Sequence, residues 1–294
     1  MLARLTAYPP EQAAIARSLR GDDVLRIGRG PDNDLCLAHP SVSRSHAVLD
    51  AGDGAWRLRD LDSKNGSFVA GRRIASDVLQ SGCWLRFGEV YCEFAPMSPE
   101  QAAHGESLFR VRRATAAAHT ARIDGMQHLD EVLDGSLRGV IELAQCERGF
   151  VLLEGAHGLA VRTSLALDPQ RLAGREFSGS VGAVRRVLSR GASVVANDIG
   201  NEPWLARRES VVAGGLQTLV CLPLLDRGKA FGAIYADRTR PGPPVTTLDL
   251  ELLEAFSEHA ALWISARRAT AALERAAEAA PWDEILAAHA GEPA

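Results

Sequence analysis

Three short segments near the start of the chain hold residue types that do chemistry together: Ile27-Gly28-Arg29, Ser43-Arg44-Ser45-His46 and Asp60-Leu61-Asp62-Ser63-Lys64-Asn65-Gly66-Ser67-Phe68. Arg29 offers a planar fork of N–H donors, Ser43 a hydroxyl and Asn65 an amide. Donors of these kinds, converging from rigid loops, suit the capture of a multiply charged oxyanion. Elsewhere the chain lacks G-x-S-x-G, H-E-x-x-H and G-x-x-x-x-G-K-[ST], so hydrolytic, zinc-protease and nucleotide-phosphate chemistry are not expected. The reading is of a protein that is not an enzyme.

The order G-R, S-R-x-H, S-x-N-G resembles the forkhead-associated (FHA) family, over about a third of the chain. That resemblance implies an all-β sandwich that binds phosphothreonine peptides, the phosphate carrying about −1.5 to −2 charges and three acceptor oxygens. It implies that Arg29 and Ser43 hold the phosphate, that Arg44 and Lys64 flank it, and that Asn65 hydrogen-bonds the peptide backbone. His46 is then structural, tying neighbouring loops, and Gly28 and Gly66 serve backbone conformations closed to other residues. The sequence departs from the family pattern at Lys64, where Thr is frequent, at Ala70, where Asn is common, and at Cys83, where Asp is usual after Gly82.

Loops of this kind need a scaffold. Residues 2–95 hold short apolar runs broken by Gly, Pro, Asn and Asp, the pattern of an antiparallel sandwich. Ala55-Trp56-Arg57-Leu58-Arg59 alternates apolar with charged, and Val90, Cys92 and Phe94 share one face of a second strand. The Ala-rich, charged stretch 96–125 reads as a linker, partly helical. Within it Thr115 and Thr120 stand among Arg112, Arg113 and Arg122, a context suited to basophilic kinases, and phosphorylation there would give the sandwich a ligand in its own chain.

From Met126 the periodicity changes to three or four residues, through Leu129, Leu133, Leu137, Val140 and Ala144, which predicts a helix opening a second domain. Strands are expected at 149–153, 159–167, 193–196, 216–225 and 230–236, a helix at 181–189 stopped by Gly191, and a long helix from Thr247 past Trp263. Segments such as Cys146-Glu147-Arg148-Gly149-Phe150-Val151 and Phe231-Gly232-Ala233-Ile234-Tyr235-Ala236-Asp237 resemble the GAF family. The resemblance implies an α+β domain with a central antiparallel sheet and flanking helices, and a pocket lined by Phe177, Val181, Trp204, Val211, Leu216 and Thr218. The N-K-x-F-D signature of cyclic-nucleotide-binding members and the Cys-His pair of bilin-binding members are absent. The predicted organisation is 1–95 FHA, 96–125 linker, 126–266 GAF and 267–294 helix extension and tail.

With 294 residues, 46% of them hydrophobic and 24% charged, two cores are expected, and no run approaches the roughly 18 to 20 apolar residues of a bilayer crossing. The N-terminus lacks a basic start followed by an apolar stretch, which places the protein in the cytoplasm, away from membranes. A net charge of −4 with interleaved arginines argues against nucleic acid. The five scattered cysteines predict buried reduced thiols, with no metal site and no cofactor. The expected function is a bacterial signalling adaptor that docks on a threonine-phosphorylated kinase or kinase substrate, with a GAF domain that senses an unknown small molecule or forms a homodimer through the long helix. FHA-GAF modules of similar kind precede ATPase and DNA-binding domains; here 294 residues leave room for neither, so action through partners is expected. The alternative is a redox enzyme or sensor using Cys146 and Cys221.

Overall fold

The structure, a computed structural model, describes residues 1–52, 54–155, 157–167, 179–197 and 216–279, the last four by backbone alone. Its N-terminal part is a sandwich of two sheets. One runs in the order β2 (Ile15–Arg20), β1 (Leu2–Tyr8), β11 (Val90–Met97), β10 (Cys83–Phe87), β7 (Ser67–Val69), β8 (Arg72–Ile74). The other runs β4 (Leu35–Cys36), β3 (Val24–Gly28), β5 (Ala47–Gly52), β6 (Ala55–Asp60), β9 (Ser76–Leu79). Pairings are antiparallel except β3 with β4. The alternation seen in sequence sets the faces: β6 buries Trp56 and Leu58 and exposes Arg57 and Arg59, while β11 buries Val90, Cys92 and Phe94. Each fully buried Leu, Ile or Phe between the sheets contributes about 1.5–3 kcal/mol.

Residues 99–124, expected to be partly helical, form one continuous helix, α1 (Pro99–Asp124). Ser98 caps it: its hydroxyl accepts from Gln101 N–H at 3.1 Å while Gln101 Oε1 accepts from Ser98 N–H at 2.8 Å, with Pro99 in the first turn. At 1.5 Å per residue the helix is about 39 Å long. Its second half buries Ala116, His119 and Ile123 against two further helices, α2 (Leu129–Leu143) and α4 (Thr247–Ala279). Thr115 and Thr120 therefore stand mid-helix, the Thr120 hydroxyl returned to the Ala116 carbonyl at 3.0 Å. A reader of extended peptides has no access to them without unwinding the helix.

The C-terminal sheet runs β13 (Gly158–Leu165), β12 (Arg148–Gly155), β16 (Lys229–Arg238), β15 (Thr218–Asp226), β14 (Val194–Asn197), antiparallel throughout. One face carries Val151, Leu153, Val220, Leu222, Ile234 and Ala236 against α2 and α4. The other carries Phe150, Leu219, Cys221 and Tyr235 against α3 (Val181–Arg190), which Ser180 caps and Gly191 ends in a left-handed conformation (φ 63°). No helix among the described residues is long and apolar enough to cross a membrane.

The two parts meet at the β1–β2 connection. Ala13 is buried in the helix-side core of the C-terminal sheet, and Ala14 exchanges backbone hydrogen bonds with Val245 (2.9 Å) and Thr247 (2.8 Å) at the start of α4. Glu11 forms an ion pair with Arg186 of α3.

Candidate functional site

The three motifs converge at one end of the sandwich because their loops are bonded to each other. Arg29 N–H donates to the Ser43 carbonyl at 2.8 Å and Gly30 N–H to the Arg44 carbonyl at 3.0 Å, so the β3–β4 and β4–β5 loops lie side by side. A Cβ on Gly28 would stand 2.3 Å from the Arg44 carbonyl oxygen. Glycine is needed there for close approach and not for an unusual φ, which corrects the expected reason. At Gly66 the expected reason holds: φ is 79°.

The donors are fixed as follows. Arg29 is exposed, its Nε tied to the Val42 carbonyl at 3.1 Å, which leaves the outer guanidinium nitrogens available. Ser43 Oγ accepts from Lys64 N–H at 3.0 Å, so its own proton is left free to donate. Asn65 Nδ2 donates to the Ser41 carbonyl at 2.7 Å, which orients its carbonyl oxygen. The side chains of Arg44, Lys64 and Asn65 are exposed at this end. His46 is fully buried beneath them, accepting from Ser43 N–H at 3.0 Å through Nδ1 and meeting the Gly66 carbonyl at 3.2 Å through Nε2. Burial holds its pKa below the ordinary histidine value.

Three supports escaped sequence reasoning. Asp60 accepts from Ser63 N–H (2.8 Å), the Ser63 hydroxyl (2.6 Å) and the Ser67 hydroxyl (2.5 Å), and so shapes the loop bearing Lys64 and Asn65. Asn33 Nδ2 bridges the Gly30 and Arg44 carbonyls at 2.8 and 2.7 Å. Ser41 Oγ accepts from Glu89 N–H at 2.8 Å, bringing the β10–β11 turn to the same end. The Asp-x-x-Ser spacing at Asp60 was a readable signal of a side-chain-closed turn.

On the α3 face of the C-terminal sheet lies a buried polar strip. Arg148 Nε donates to Asp237 Oδ1 at 2.6 Å, Tyr235 donates to Asp237 Oδ2 at 2.8 Å, and the Tyr235 hydroxyl accepts from Ser180 N–H at 3.1 Å. Burial raises the Asp237 carboxyl above its ordinary value despite the neighbouring guanidinium, and holds the Tyr235 phenol well above its own.

The FHA domain family matches residues 25–88 and the GAF domain family matches residues 128–264. The chain carries an FHA domain followed by a GAF domain. It is 38% identical over 71 residues to the ABC transporter ATP-binding/permease protein Rv1747 of Mycobacterium tuberculosis, an alignment covering 24% of this chain and 8% of that protein. It is 35% identical over 79 residues to the oxoglutarate dehydrogenase inhibitor of Corynebacterium diphtheriae, covering 27% of this chain and 55% of the relative. Among solved structures, the FHA domain of the CT664 protein from Chlamydia trachomatis aligns with 33% of this chain and 100% of that one, at 24% identity and a TM-score of 0.31.

Of the residues expected to line a GAF pocket, Phe177, Trp204 and Val211 lie outside the described residues. Val181 is exposed at the start of α3; Leu216 is buried in the core beside Phe150 and Tyr235; Thr218 is buried, its hydroxyl accepting from Arg238 Nη2 at 3.1 Å. Cys146 and Cys221 pack against opposite faces of the GAF sheet, and burial pushes the Cys146 thiol up to about 12 and raises that of Cys221. Neither is poised as a thiolate. The expectation of buried thiols fails at Cys36, which is exposed with Sγ 3.5 Å from the Arg29 carbonyl. No group of three metal-ligating side chains occurs among the described residues.

Proposed function

We propose that this chain is a signalling adaptor whose FHA domain docks on a threonine-phosphorylated protein, a kinase or a kinase substrate, and whose GAF domain senses a small molecule or pairs two copies. The observation that carries the reading is the Ser43 to Lys64 bond: Ser43 Oγ accepts there, which leaves its own proton free to donate where three loops present Arg29, Arg44 and Asn65. A phosphate dianion is the group such donors suit. The phosphopeptide subsite comprises Arg29, Ser43, Arg44, Lys64 and Asn65, supported by Gly28, His46 and Gly66. Titration against a phosphothreonine peptide library, with unphosphorylated and phosphoserine controls, tests this. Binding that requires both the phosphate and Arg29 is expected; equal binding by Arg29→Ala would defeat it.

Pairing of two copies is favoured by α4. Leu262, Ala266, Ala269 and Leu273 are exposed at alternating spacings of four and three, the two leucines 70% and 71% accessible. Replacing Leu262 and Leu273 together with Glu should convert dimers to monomers in light scattering.

A further inference from the structure

Arg238, the last residue of β16, is only 4% accessible, and no carboxylate pairs with it among the described residues. Arg148 and Arg112, both less buried, each have one: Arg148 bonds Asp237 at 2.6 Å and Arg112 pairs with Asp249. Arg238 meets neutral groups alone. Its Nη2 donates to Thr218 Oγ1 at 3.1 Å and to the Pro243 carbonyl, Nη1 reaches the Gln145 carbonyl at 3.4 Å, and Nε has no partner. Glu147 is taken up by the Thr239 hydroxyl at 3.2 Å and by Arg240 at 3.1 Å. Burying a charge without a counter-charge is costly, and an arginine does not escape by losing its proton.

The guanidinium borders a cavity of about 160 Å³ between the two domains, walled by Tyr8 on the FHA side and by Asn197, Gln217, Thr218 and Gly242 on the other. No Asp or Glu lines it among the described residues. Donors do. The Thr218 hydroxyl accepts from Arg238, so its own proton is free, and Asn197 Nδ2 gives one hydrogen to the Val245 carbonyl and keeps its second. Gly242 lets the following loop close on the charge, since a Cβ there would stand 3.0 Å from Arg238 Cζ and 3.1 Å from Nη1. Thr218 and Arg238 are register partners that continue the rows of Val220 and Ala236, so the cavity belongs to the α2 and α4 side of the sheet. It is separate from the Tyr235 and Asp237 strip on the α3 face.

We propose that this cavity binds one small oxyanion, a short carboxylic acid or inorganic phosphate, which neutralises Arg238 and bridges the FHA and GAF domains. Size limits the class. A cavity of about 150 Å³ takes one benzene ring, so roughly four to six heavy atoms fit and a nucleotide does not. A guanidinium with Nε free, beside a hydroxyl and an amide donor, suits the planar or tetrahedral oxygens of either anion.

The test titrates the full chain with sodium phosphate, acetate and succinate by calorimetry and thermal unfolding, at constant ionic strength made up with chloride. Each titration is repeated in Arg29→Ala, so that phosphate held by the phosphopeptide loops is not counted and the outcome does not depend on the reader function. At least one anion should bind saturably and raise the unfolding temperature in both backgrounds. Arg238→Gln should weaken that binding more than roughly tenfold and Thr218→Val roughly three- to tenfold, while Thr218→Ser, which keeps the hydroxyl, should retain it. Should Arg238→Gln fail to fold, the Val and Ser variants of Thr218 decide. Tighter binding of phosphate identifies the inorganic ion, and tighter binding of acetate or succinate an organic acid. No saturable binding, stabilisation no greater than chloride gives, or binding unchanged in Arg238→Gln and Thr218→Val overturns the assignment and leaves Arg238 as a pin for the Pro243 loop.

Discussion

Nε2 of His46 lies 3.2 Å from the carbonyl oxygen of Gly66, and through this contact the serine-bearing loop is tied to the asparagine-bearing one. Because Nδ1 accepts from Ser43 N–H, the ring is neutral and carries its proton on Nε2. Burial lowers its pKa below 6.5, so between that folded value and 6.5 the unfolded chain binds more protons than the folded one. Stability from this group is complete above about pH 6.5 and is lost as pH falls, by at most about 1.4 kcal/mol per pH unit. Urea denaturation from pH 7.5 to 5 should show this slope, and His46→Asn should flatten it. A slope unchanged in the variant would assign it to other groups.

Asp60 is the second organiser of the site. Burial acts to raise its pKa, but the Ser63 and Ser67 hydroxyls and Ser63 N–H outweigh it and hold the carboxyl below its ordinary value. Its contribution is therefore present above about pH 4 and lost as pH falls through the lower folded value. Asp60→Asn removes the charge that these donors share and should cost about 1–3 kcal/mol. Phosphopeptide affinity should fall although Asp60 touches no ligand. Amide exchange at residues 63–66 is the readout, and unchanged protection would show that the loop holds its shape without the carboxylate.

The binding motifs were legible because they place polar residues of definite type at turns, where a sandwich needs only spacers. Their supports were not, since Asn33 reaches Arg44 and Asn65 reaches Ser41 over 11 and 24 residues of sequence, and local pattern does not reveal side-chain-to-backbone bonds across loops. The alternation in β6 and β11 gave the core faces directly. In residues 99–124 the Ala-rich composition pointed to a linker, whereas the Ser98-Pro99-Glu100-Gln101 capping box marked the helix start. In the GAF domain the pairing of Arg148 with Asp237 joins residues 89 apart, and only the strand register brings them face to face.

The Ala70 departure carries a stability consequence. Val69 pairs with Arg72, so Ala70 and Gly71 form a two-residue turn, and both have positive φ, 47° and 80°. That is the type I′ geometry, which Asn-Gly satisfies and which strains a residue bearing Cβ without a compensating polar group. Ala70→Asn should stabilise the FHA domain by about 0.5–1 kcal/mol in urea denaturation of the full chain. Gly71→Ala should act in the opposite direction. No gain from Ala70→Asn would mean that the turn relaxes at little cost.

The two domains share a joint built on Val245. The Asn197 side chain donates to the Val245 carbonyl at 3.0 Å and accepts from its N–H at 2.8 Å, and the same carbonyl accepts from Ala14 of the FHA domain at 2.9 Å. Ala14 in turn accepts from Thr247 at the start of α4, where Asp249 bonds Thr246 and pairs with Arg112 of α1. Asn197→Ala leaves the buried Val245 N–H without its partner, a loss of about 1–3 kcal/mol. If the joint is a single unit, exchange protection should fall at Ala14 and Thr247 as well as at Val245, and a single thermal unfolding transition should separate into two. Loss confined to Val245 would show that the FHA domain is held mainly by Ala13 in the apolar core and the Glu11 to Arg186 pair, and Ala13→Asp would then be the change that frees it.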